Sequence, residues 1–292
     1  MFDVKFTLPR SPYQDLVLSR HLLVDDHTKS VFCYAPKVGC TNLKLALFYA
    51  QGLVTKEDLV KSRDDIDQNK LEECVILASL ISRNKPERIE ILKKSFKFIM
   101  YRNPLERLVS AYRSKVRRYP LVGLQKDIPH YNWLRRRIFA YTNPSDYKHW
   151  ILHGGQTVVN ISFNDFIEYW LAYDLSGDEH FRTIFSLCEP CRVHYNYYGN
   201  FKTFDKDASV FISRIGGDSG ILRSGYYEYN DSVPTEVLVN HYYEELNLYQ
   251  RLAVIRKLAL DLDFYYHVFP TEEDSHKHIL GVECDIPRPY YN

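Results

Sequence analysis

Two places where a short apolar strand runs into a turn and then a helix limit most strongly what this chain can fold into. Residues 30–35, SVFCYA, read as a buried strand, and the turn PKVG and the helix TNLKLALFYA follow. Residues 96–101, FKFIMY, read as a second strand, and Asn103 and Pro104 are the N-cap and first residue of the next helix. Such alternation predicts an α/β fold with a mainly parallel, P-loop-like sheet and helices on both faces.

Further periodic segments extend this α/β prediction along the chain. The helix after the second strand has an apolar stripe that we expect to be buried: Leu105, Leu108, Val109, Tyr112 and Val116. LEECVILASLI predicts a largely buried helix, TVVNISF predicts a third strand, and further helices are expected at about 164–173, 234–246 and 247–261. Because we find no repeat, low-complexity tract or linker, we predict a single domain spanning residues 1–292.

The turn after the first strand has the chemistry of a phosphate-binding loop, although its residue order differs from the Walker pattern because Lys37 precedes Gly39. A helix N-terminus exposes unpaired N–H groups and carries a partial positive charge. Gly39 lets the backbone approach a ligand closely, and Thr41 and Asn42 add side-chain donors. The alternative is an ordinary strand-to-helix turn with a surface lysine.

The end of the second strand offers another anion site. Arg102 follows this strand directly, and Ser110 lies eight residues later on the helix. A guanidinium and a hydroxyl group could hold one phosphate from two sides. Because ligands of parallel sheets bind beyond the carboxyl ends of the strands, Lys37 and Arg102 are expected at the same edge.

The two segments together resemble a known family. PKVGCTN and YRNPLERLVSAYRSK closely resemble the paired nucleotide motifs of the Golgi carbohydrate sulfotransferases, the group of the chondroitin and dermatan 4-O-sulfotransferases and the HNK-1 sulfotransferase. EHFRTIFSLCEPCRVHYNYYGNFKTFDKDA and LDLDFYYHVF are similar to later blocks of that family, so the resemblance covers about residues 30–270.

The resemblance implies a sulfotransferase fold that binds 3′-phosphoadenosine 5′-phosphosulfate (PAPS) as the sulfuryl donor, with no metal. The motif at 96–115 would hold the 3′-phosphate through Arg102 and Ser110. The motif at 34–44 would hold the 5′-phosphosulfate through Pro36, Lys37, Val38, Gly39, Cys40, Thr41 and Asn42.

Two residues are predicted to carry the chemistry. Lys37 is assigned to the oxygen of the leaving phosphate. His180, which matches a histidine of the family, is assigned as the base for the acceptor hydroxyl, with the neighbouring Glu179 as its rival. The Cys188-x-x-Cys191 pair suggests zinc or redox chemistry, but structural disulfides or buried thiols explain it better because no second pair has suitable spacing.

A local basic segment predicts an anionic glycan as the acceptor. Lysine and arginine, 38 in all, nearly cancel the 37 acidic residues, so attraction to an anion must come from clustering. Residues 113–137 supply such a cluster, and we predict that Arg113, Arg117 and Arg118 bind the acceptor. A merely solvated face is the alternative. Nucleic acid is the competing polyanion, but no nucleic-acid-binding motif is present.

Four positions depart from the family pattern. Leu43 and Phe181 replace tryptophans, Asn196 replaces an aspartate, and Lys202 replaces a glutamate. These changes leave open a non-catalytic relative that binds nucleotide or glycan. A P-loop kinase is a third reading, disfavoured because the Walker lysine-serine and an evident magnesium-binding aspartate are missing.

The resemblance implies that the protein is located in the Golgi lumen. The chain contains no apolar stretch of about 18 residues and no apolar signal core at its start, so membrane attachment would require an anchor outside it. A complete protein of this sequence would be cytosolic, whereas a chain trimmed of an anchor would look the same. Six cysteines and sequons at Asn160 and Asn230 favour a lumenal enzyme with two or three disulfides.

Overall fold

The described part of the chain falls into two compact units, each built from two chain segments. The computed structural model describes residues 12–60, 67–117, 131–155, 157–217 and 235–271. The first unit combines Met1–Arg102 with Arg182–Tyr226, and the second combines Asn103–Phe181 with Tyr227–Asn292.

A four-stranded mixed sheet forms the centre of the first unit, in the order β1-β2-β3-β4. The strands are β1 Leu22–Asp25, β2 Ser30–Cys33, β3 Phe96–Tyr101 and β4 Tyr197–Asn200. β2 pairs with β3 and β3 pairs with β4 in parallel, whereas β1 runs antiparallel to β2. The mainly parallel α/β sheet is therefore confirmed, with one antiparallel edge strand that we did not predict.

The central strands are apolar because both faces of the sheet are covered. Val31, Phe32, Phe98 and Ile99 are all 0% exposed. The ring of Phe211 lies 5.3 Å from that of Phe32 and 5.2 Å from that of Phe98, measured between centroids. This burial explains the continuous apolar runs in the sequence, since a strand buried on both faces needs no polar alternation.

Eight helices accompany the sheet within the described residues of the first unit. Gly39 begins the helix after β2, and a 3-10 turn, Phe201–Thr203, follows β4. The helices are α1 Pro12–His21, α2 Cys40–Ala50, α3 Lys56–Val60, α4 Gln68–Ala78, α5 Lys85–Lys94, α10 Ile184–Cys188, α11 Pro190–Val193 and α12 Phe204–Arg214. α4 is less buried than predicted, because Ile76 and Leu77 are 47% and 59% exposed.

In its described residues, the second unit is built mainly from helices. Its helices are α6 Pro104–Tyr112, α7 Asn132–Thr142, α8 Pro144–Leu152, α9 Phe163–Ala172, α13 Thr235–Glu244, α14 Leu248–Lys257 and α15 Ala259–Val268. α6 starts as predicted, with the Asn103 side chain accepting a hydrogen bond from the Leu105 amide, and it continues into a π-helical turn, Arg113–Arg117. Its predicted stripe is buried, and the rest of α6 is buried as well, including Arg107 and Ser110.

The third strand predicted for TVVNISF does not form. Residues 157–162 have no regular secondary structure apart from a bridge at Val159, and Val158 is 57% exposed. Side-chain donors hydrogen-bond two of the carbonyl groups of this segment. Trp150 Nε1 donates to Thr157 O at 2.8 Å, and the Tyr112 hydroxyl donates to Ile161 O at 2.8 Å. The β-branched residues predicted a strand here, but the segment instead hydrogen-bonds to side chains from outside it.

One disulfide, Cys33–Cys188, joins the last residue of β2 to the last residue of α10. It spans a sequence separation of 155 residues. The other cysteines within the described residues, Cys40, Cys74 and Cys191, are free thiols, and Cys284 lies outside that part of the chain. Among the described helices, none is both long and apolar enough to cross a membrane.

Removing the disulfide should destabilise the first unit. We expect the double variant Cys33→Ser/Cys188→Ser to lose about 2–5 kcal/mol of unfolding free energy, because the cross-link restricts a long loop in the unfolded chain. The melting temperature, measured by differential scanning calorimetry, should fall accordingly. Cys191→Ser, which removes an exposed free thiol, is the matched control and should leave it unchanged. An unchanged melting temperature in the double variant would contradict this stabilising role.

Candidate functional site

The turn between β2 and α2 has an unusual backbone. Lys37 and Gly39 both lie in the left-handed region, with φ values of 73° and 75°. Gly39 is the N-cap of α2, and no side chain caps this helix. A non-glycine residue at positive φ is uncommon and costs conformational energy. The turn therefore presents backbone N–H groups at the start of α2, as an anion-binding loop does.

Glycine is required at position 39 for a second reason. A Cβ atom placed there would lie 2.3 Å from Cε2 of Phe204, the first residue of α12. Such contacts do not occur between real side chains, so any larger residue would push the turn and the Phe204 ring apart. The turn is packed directly against an aromatic side chain that the sequence motif did not indicate.

The two predicted strand ends meet in the first unit. Arg102 follows β3 directly, and its Nη1 donates to the backbone carbonyl of Lys37 at 3.3 Å. Its guanidinium also lies 4.4 Å from the centroid of the Phe201 ring. Lys37 and Arg102 are only 7% and 5% exposed. Two positive charges are thus held in a largely buried setting at the carboxyl edge of the parallel strands.

The remaining residues of the first motif lie along the same turn. Pro36 and Val38 are buried, whereas Cys40, Thr41 and Asn42 are half-buried on the first turn of α2. The Asn42 amide donates to Gly39 O at 3.2 Å. All the residues predicted to hold the 5′ end of the nucleotide therefore lie in the continuous turn from β2 into α2, and Arg102 lies beside that turn.

The other predicted residues belong to the second unit. Ser110 lies on α6 and is 2% exposed. Glu179 is half-buried, and its backbone carbonyl accepts a hydrogen bond from Arg107 Nη2 at 3.3 Å. Their roles at a nucleotide or acceptor remain predictions.

His180 is held by two polar side chains. Its Nδ1 lies 2.9 Å from Asp178 Oδ1 and 3.0 Å from the hydroxyl oxygen of Tyr131. Burial and the nearby Lys115 lower the pKa of His180 to about 4, although Asp178 opposes that shift. The imidazole is therefore neutral across pH 6–8 and has a lone pair available for a proton. Sequence reasoning identified His180 but not its partners.

The predicted acceptor-binding residues have different surroundings. Arg113 is 1% exposed, so its side chain does not belong to a solvated basic face. Arg117 is exposed, donates to the Tyr242 hydroxyl and lies 5.7 Å from the centroid of that ring. Arg118 lies outside the described residues. Arg135, counted in the same basic cluster, is buried and donates to the carbonyls of Val116 and Lys115.

The Cys-x-x-Cys motif is not a redox pair or a zinc site. Cys188 is bonded to Cys33, and Cys191 remains an exposed free thiol. Of the two alternatives predicted from the sequence, a structural disulfide or buried thiols, the disulfide is confirmed for Cys188, whereas Cys191 is neither bonded nor buried. In the part of the chain that the structure describes, no group of three or more metal-ligating side chains is arranged to hold a metal ion.

Comparison with known proteins connects this geometry to a family. The family model described as "Sulfotransferase family" matches residues 20–267. Carbohydrate sulfotransferase 11 of Rattus norvegicus is 28% identical over 254 residues, 85% of this chain and 68% of that protein. Carbohydrate sulfotransferase 14 of Mus musculus is 29% identical over 285 residues, 92% of this chain and 68% of that protein.

A human relative is more similar over a shorter region. Carbohydrate sulfotransferase 14 of Homo sapiens is 33% identical over 219 residues, which cover 71% of this chain and 51% of that protein. No solved structure gave a significant match.

Replacing Gly39 by alanine should destabilise the turn far more than an equivalent change elsewhere. Gly52 is the matched control, because it has a φ of 71° but no atom lies within 4 Å of the place that a Cβ would take. Gly52→Ala should cost about 1–2 kcal/mol for the left-handed backbone alone. Gly39→Ala should lower the free energy of unfolding, measured with urea, by more than this. Adding Phe204→Ala to the Gly39→Ala variant should recover part of that loss. Equal costs for the two glycines would contradict the packing against Phe204.

Proposed function

This chain belongs to the sulfotransferase family, and from that premise we propose that it transfers a sulfuryl group from PAPS to N-acetylgalactosamine in a chondroitin- or dermatan-type chain. The family match and the relatives named as carbohydrate sulfotransferases make it a carbohydrate O-sulfotransferase. The donor and the acceptor sugar are the parts that need testing.

The hydrogen bond between Arg102 and the Lys37 carbonyl carries the proposal for the donor. It holds a guanidinium against a left-handed turn whose following helix has no side-chain cap. Amide N–H groups, a lysine and an arginine collected at one strand edge suit a ligand with two anionic groups. PAPS has its phosphosulfate and its 3′-phosphate at opposite sides of one ribose, so it fits this donor set.

The residues of the turn would hold the 5′ side of PAPS, and Arg102 with Ser110 would hold the 3′-phosphate. PAPS supplies a sulfuryl group on a phosphate leaving group. In the reaction the acceptor oxygen forms a bond to sulfur, the bond from sulfur to the 5′-phosphate oxygen breaks, and the hydroxyl proton passes to a base. Lys37 would stabilise the negative charge on the departing phosphate oxygen.

His180 is our candidate for the base that takes the acceptor proton. Its low pKa keeps it unprotonated at neutral pH, so the proton-accepting form is present there, but the same low pKa makes the imidazole a weaker base. Glu179 remains the rival. The two are separable, because His180→Ala and Glu179→Gln each remove one candidate without introducing a new base.

Two observations support an anionic glycan as the acceptor: the relatives are named as carbohydrate sulfotransferases, and positive charge is exposed on the second unit. Arg117 is exposed on the π-helical turn after α6 and rests on Tyr242. A charged group held on an aromatic ring loses less side-chain freedom when it binds an anionic glycan. Arg113 is 1% exposed, and its role at the acceptor stays a prediction.

Two of the departures from the family pattern have structural roles here, so these changes do not by themselves point to a non-catalytic relative. Leu43 is 0% exposed and packs in the core of the first unit. Asn196 Oδ1 accepts a hydrogen bond from the Lys97 amide at 2.8 Å, and the Asn196 amide donates to Lys97 O at 2.8 Å. An aspartate carboxylate could accept the same bond, so this change removes charge but keeps the contact at the start of β3. Lys202 is exposed.

The Golgi lumen is the proposed compartment. A disulfide that closes a long loop is typical of proteins that fold in an oxidising compartment. The sequon asparagine Asn160 is exposed, which suits a glycan, while Asn230 lies outside the described residues.

A labelled-donor assay tests the proposed function. The protein is incubated with [35S]PAPS and desulfated chondroitin, dermatan or a glycan without N-acetylgalactosamine, and with γ-labelled ATP in parallel. We expect label on chondroitin or dermatan only. Binding of adenosine 3′,5′-bisphosphate without transfer would favour the non-catalytic relative, and phosphate transfer would favour a kinase. Transfer only to the third glycan would overturn the proposed acceptor.

Lys37→Ala should separate chemistry from binding. We expect kcat to fall by about 100-fold or more, because the leaving oxygen loses its charge partner. The Kd for adenosine 3′,5′-bisphosphate, measured by calorimetry, should change far less. Lys56→Ala, an exposed lysine on α3, is the control and should change neither quantity. Equal losses in kcat and in binding would rule out the assigned role of Lys37.

A further inference from the structure

The surroundings of His180 contain a cluster that nothing in the motif comparison assigns. We infer that Asp178 and Tyr131 are positioning residues that hold the His180 proton on Nδ1, so that Nε2 is the atom that accepts the acceptor's proton. This inference rests on the proposed function of His180 as the base. It concerns the second unit alone, to which all three residues belong.

Asp178 holds His180 by two bonds from one oxygen. Its Oδ1 accepts from the His180 backbone amide at 2.9 Å and lies 2.9 Å from His180 Nδ1. The backbone bond is a local turn of the kind that aspartate often forms two residues ahead. It fixes the carboxylate relative to the histidine backbone, on the side of the ring where Nδ1 lies. The two side chains are 15% and 18% exposed, which shields the pair from competing water.

The chemistry of the two partners selects the tautomer. An ionised carboxylate has no proton to donate, so a nitrogen at 2.9 Å from it must carry the hydrogen. Asp178 is ionised: burial raises its pKa, but hydrogen bonds from His180 and Tyr131 outweigh that effect and leave it lowered. The Tyr131 hydroxyl can therefore donate to the carboxylate and accept from Nδ1–H. Within the described residues, every hydrogen bond of the imidazole involves Nδ1, so Nε2 keeps its lone pair.

Tyr131 is held in place at a conformational cost. It has a φ of 77°, which is rare for a bulky residue, and it is the N-cap of α7. Its ring meets the His180 ring edge-on at 5.9 Å and carries the Lys115 ammonium 4.8 Å from its centroid. Strain of this kind persists where surrounding contacts outweigh it and is common at functional sites. Among the described residues, the charged groups that act on the imidazole are Asp178, Glu179 and Lys115.

Nitrogen NMR tests the tautomer without measuring activity. In the 15N-histidine-labelled protein, long-range 1H–15N spectra at pH 7 should show His180 neutral, with its proton on Nδ1, and it should stay neutral down to pH 5.5. In Asp178→Asn the neutral amide oxygen is a weaker acceptor than the carboxylate, so some of the Nε2–H form should appear beside the Nδ1–H form. A proton on Nε2 in the wild-type protein would overturn the inference, whatever the reaction proves to be.

Kinetics test whether the arrangement serves catalysis. Asp178→Asn should lower kcat by about 100-fold, within the range of one general base, and leave the Kd for adenosine 3′,5′-bisphosphate unchanged. When Asp178→Asn is added to His180→Ala, kcat should fall no further, because Asp178 acts through the imidazole. An additional loss in the double variant would show a merely structural role and contradict the inference.

Two further variants complete the test. Tyr131→Phe should lower kcat less than Asp178→Asn, and Tyr141→Phe, on α7 but 44% exposed, is its control. Equal kcat values for Tyr131→Phe and Tyr141→Phe would contradict the part assigned to Tyr131. If NMR shows the Nδ1–H form but His180→Ala keeps full activity, the proposed base is wrong while the sulfotransferase assignment stands. If no glycan is sulfated at all, the proposed function fails instead.

Discussion

The parallel pairing of β2 with β3 is the constraint on which the candidate site depends. Cys33 is opposite Ile99 in this pairing, so the two strands end at the same edge of the sheet. The turn after β2 and Arg102 after β3 then lie close enough for the guanidinium to bind the Lys37 carbonyl. Without this register the two cationic residues would have no reason to lie together, because they are 65 residues apart in the sequence.

Several contacts reinforce that strand edge. The Cys33–Cys188 disulfide anchors the end of β2 covalently, three residues before the turn begins at Pro36. Phe201 and Phe204 follow β4 and pack against Arg102 and Gly39 respectively. Burying a lysine and an arginine costs free energy through desolvation, so a fold that keeps both at 7% exposure or less must hold them firmly. Preorganised positive charge of this kind binds an anion without rearrangement.

The second unit shows why His180 is a better candidate for the base than the other ten histidines of the sequence. What distinguishes this histidine is its two partners: the carboxylate of Asp178, two positions earlier, and the hydroxyl of Tyr131, 49 residues away. The departures from the family pattern have a similar explanation. Asn196 retains a backbone hydrogen bond and Leu43 fills an apolar site, so loss of a carboxylate or a tryptophan does not by itself imply loss of activity.

The amino-acid sequence by itself determined β3, the start of α6 at Asn103 and Pro104, and the turn around Gly39. Capping, helical periodicity and positive φ are short-range effects, so neighbouring residues suffice to specify them. Only the tertiary structure decided that residues 157–162 form no strand, that Arg113 is buried, and that Tyr131 and Asp178 surround His180. These outcomes depend on which side chains come together in the folded chain, such as Tyr131 beside His180, and local patterns do not specify those contacts.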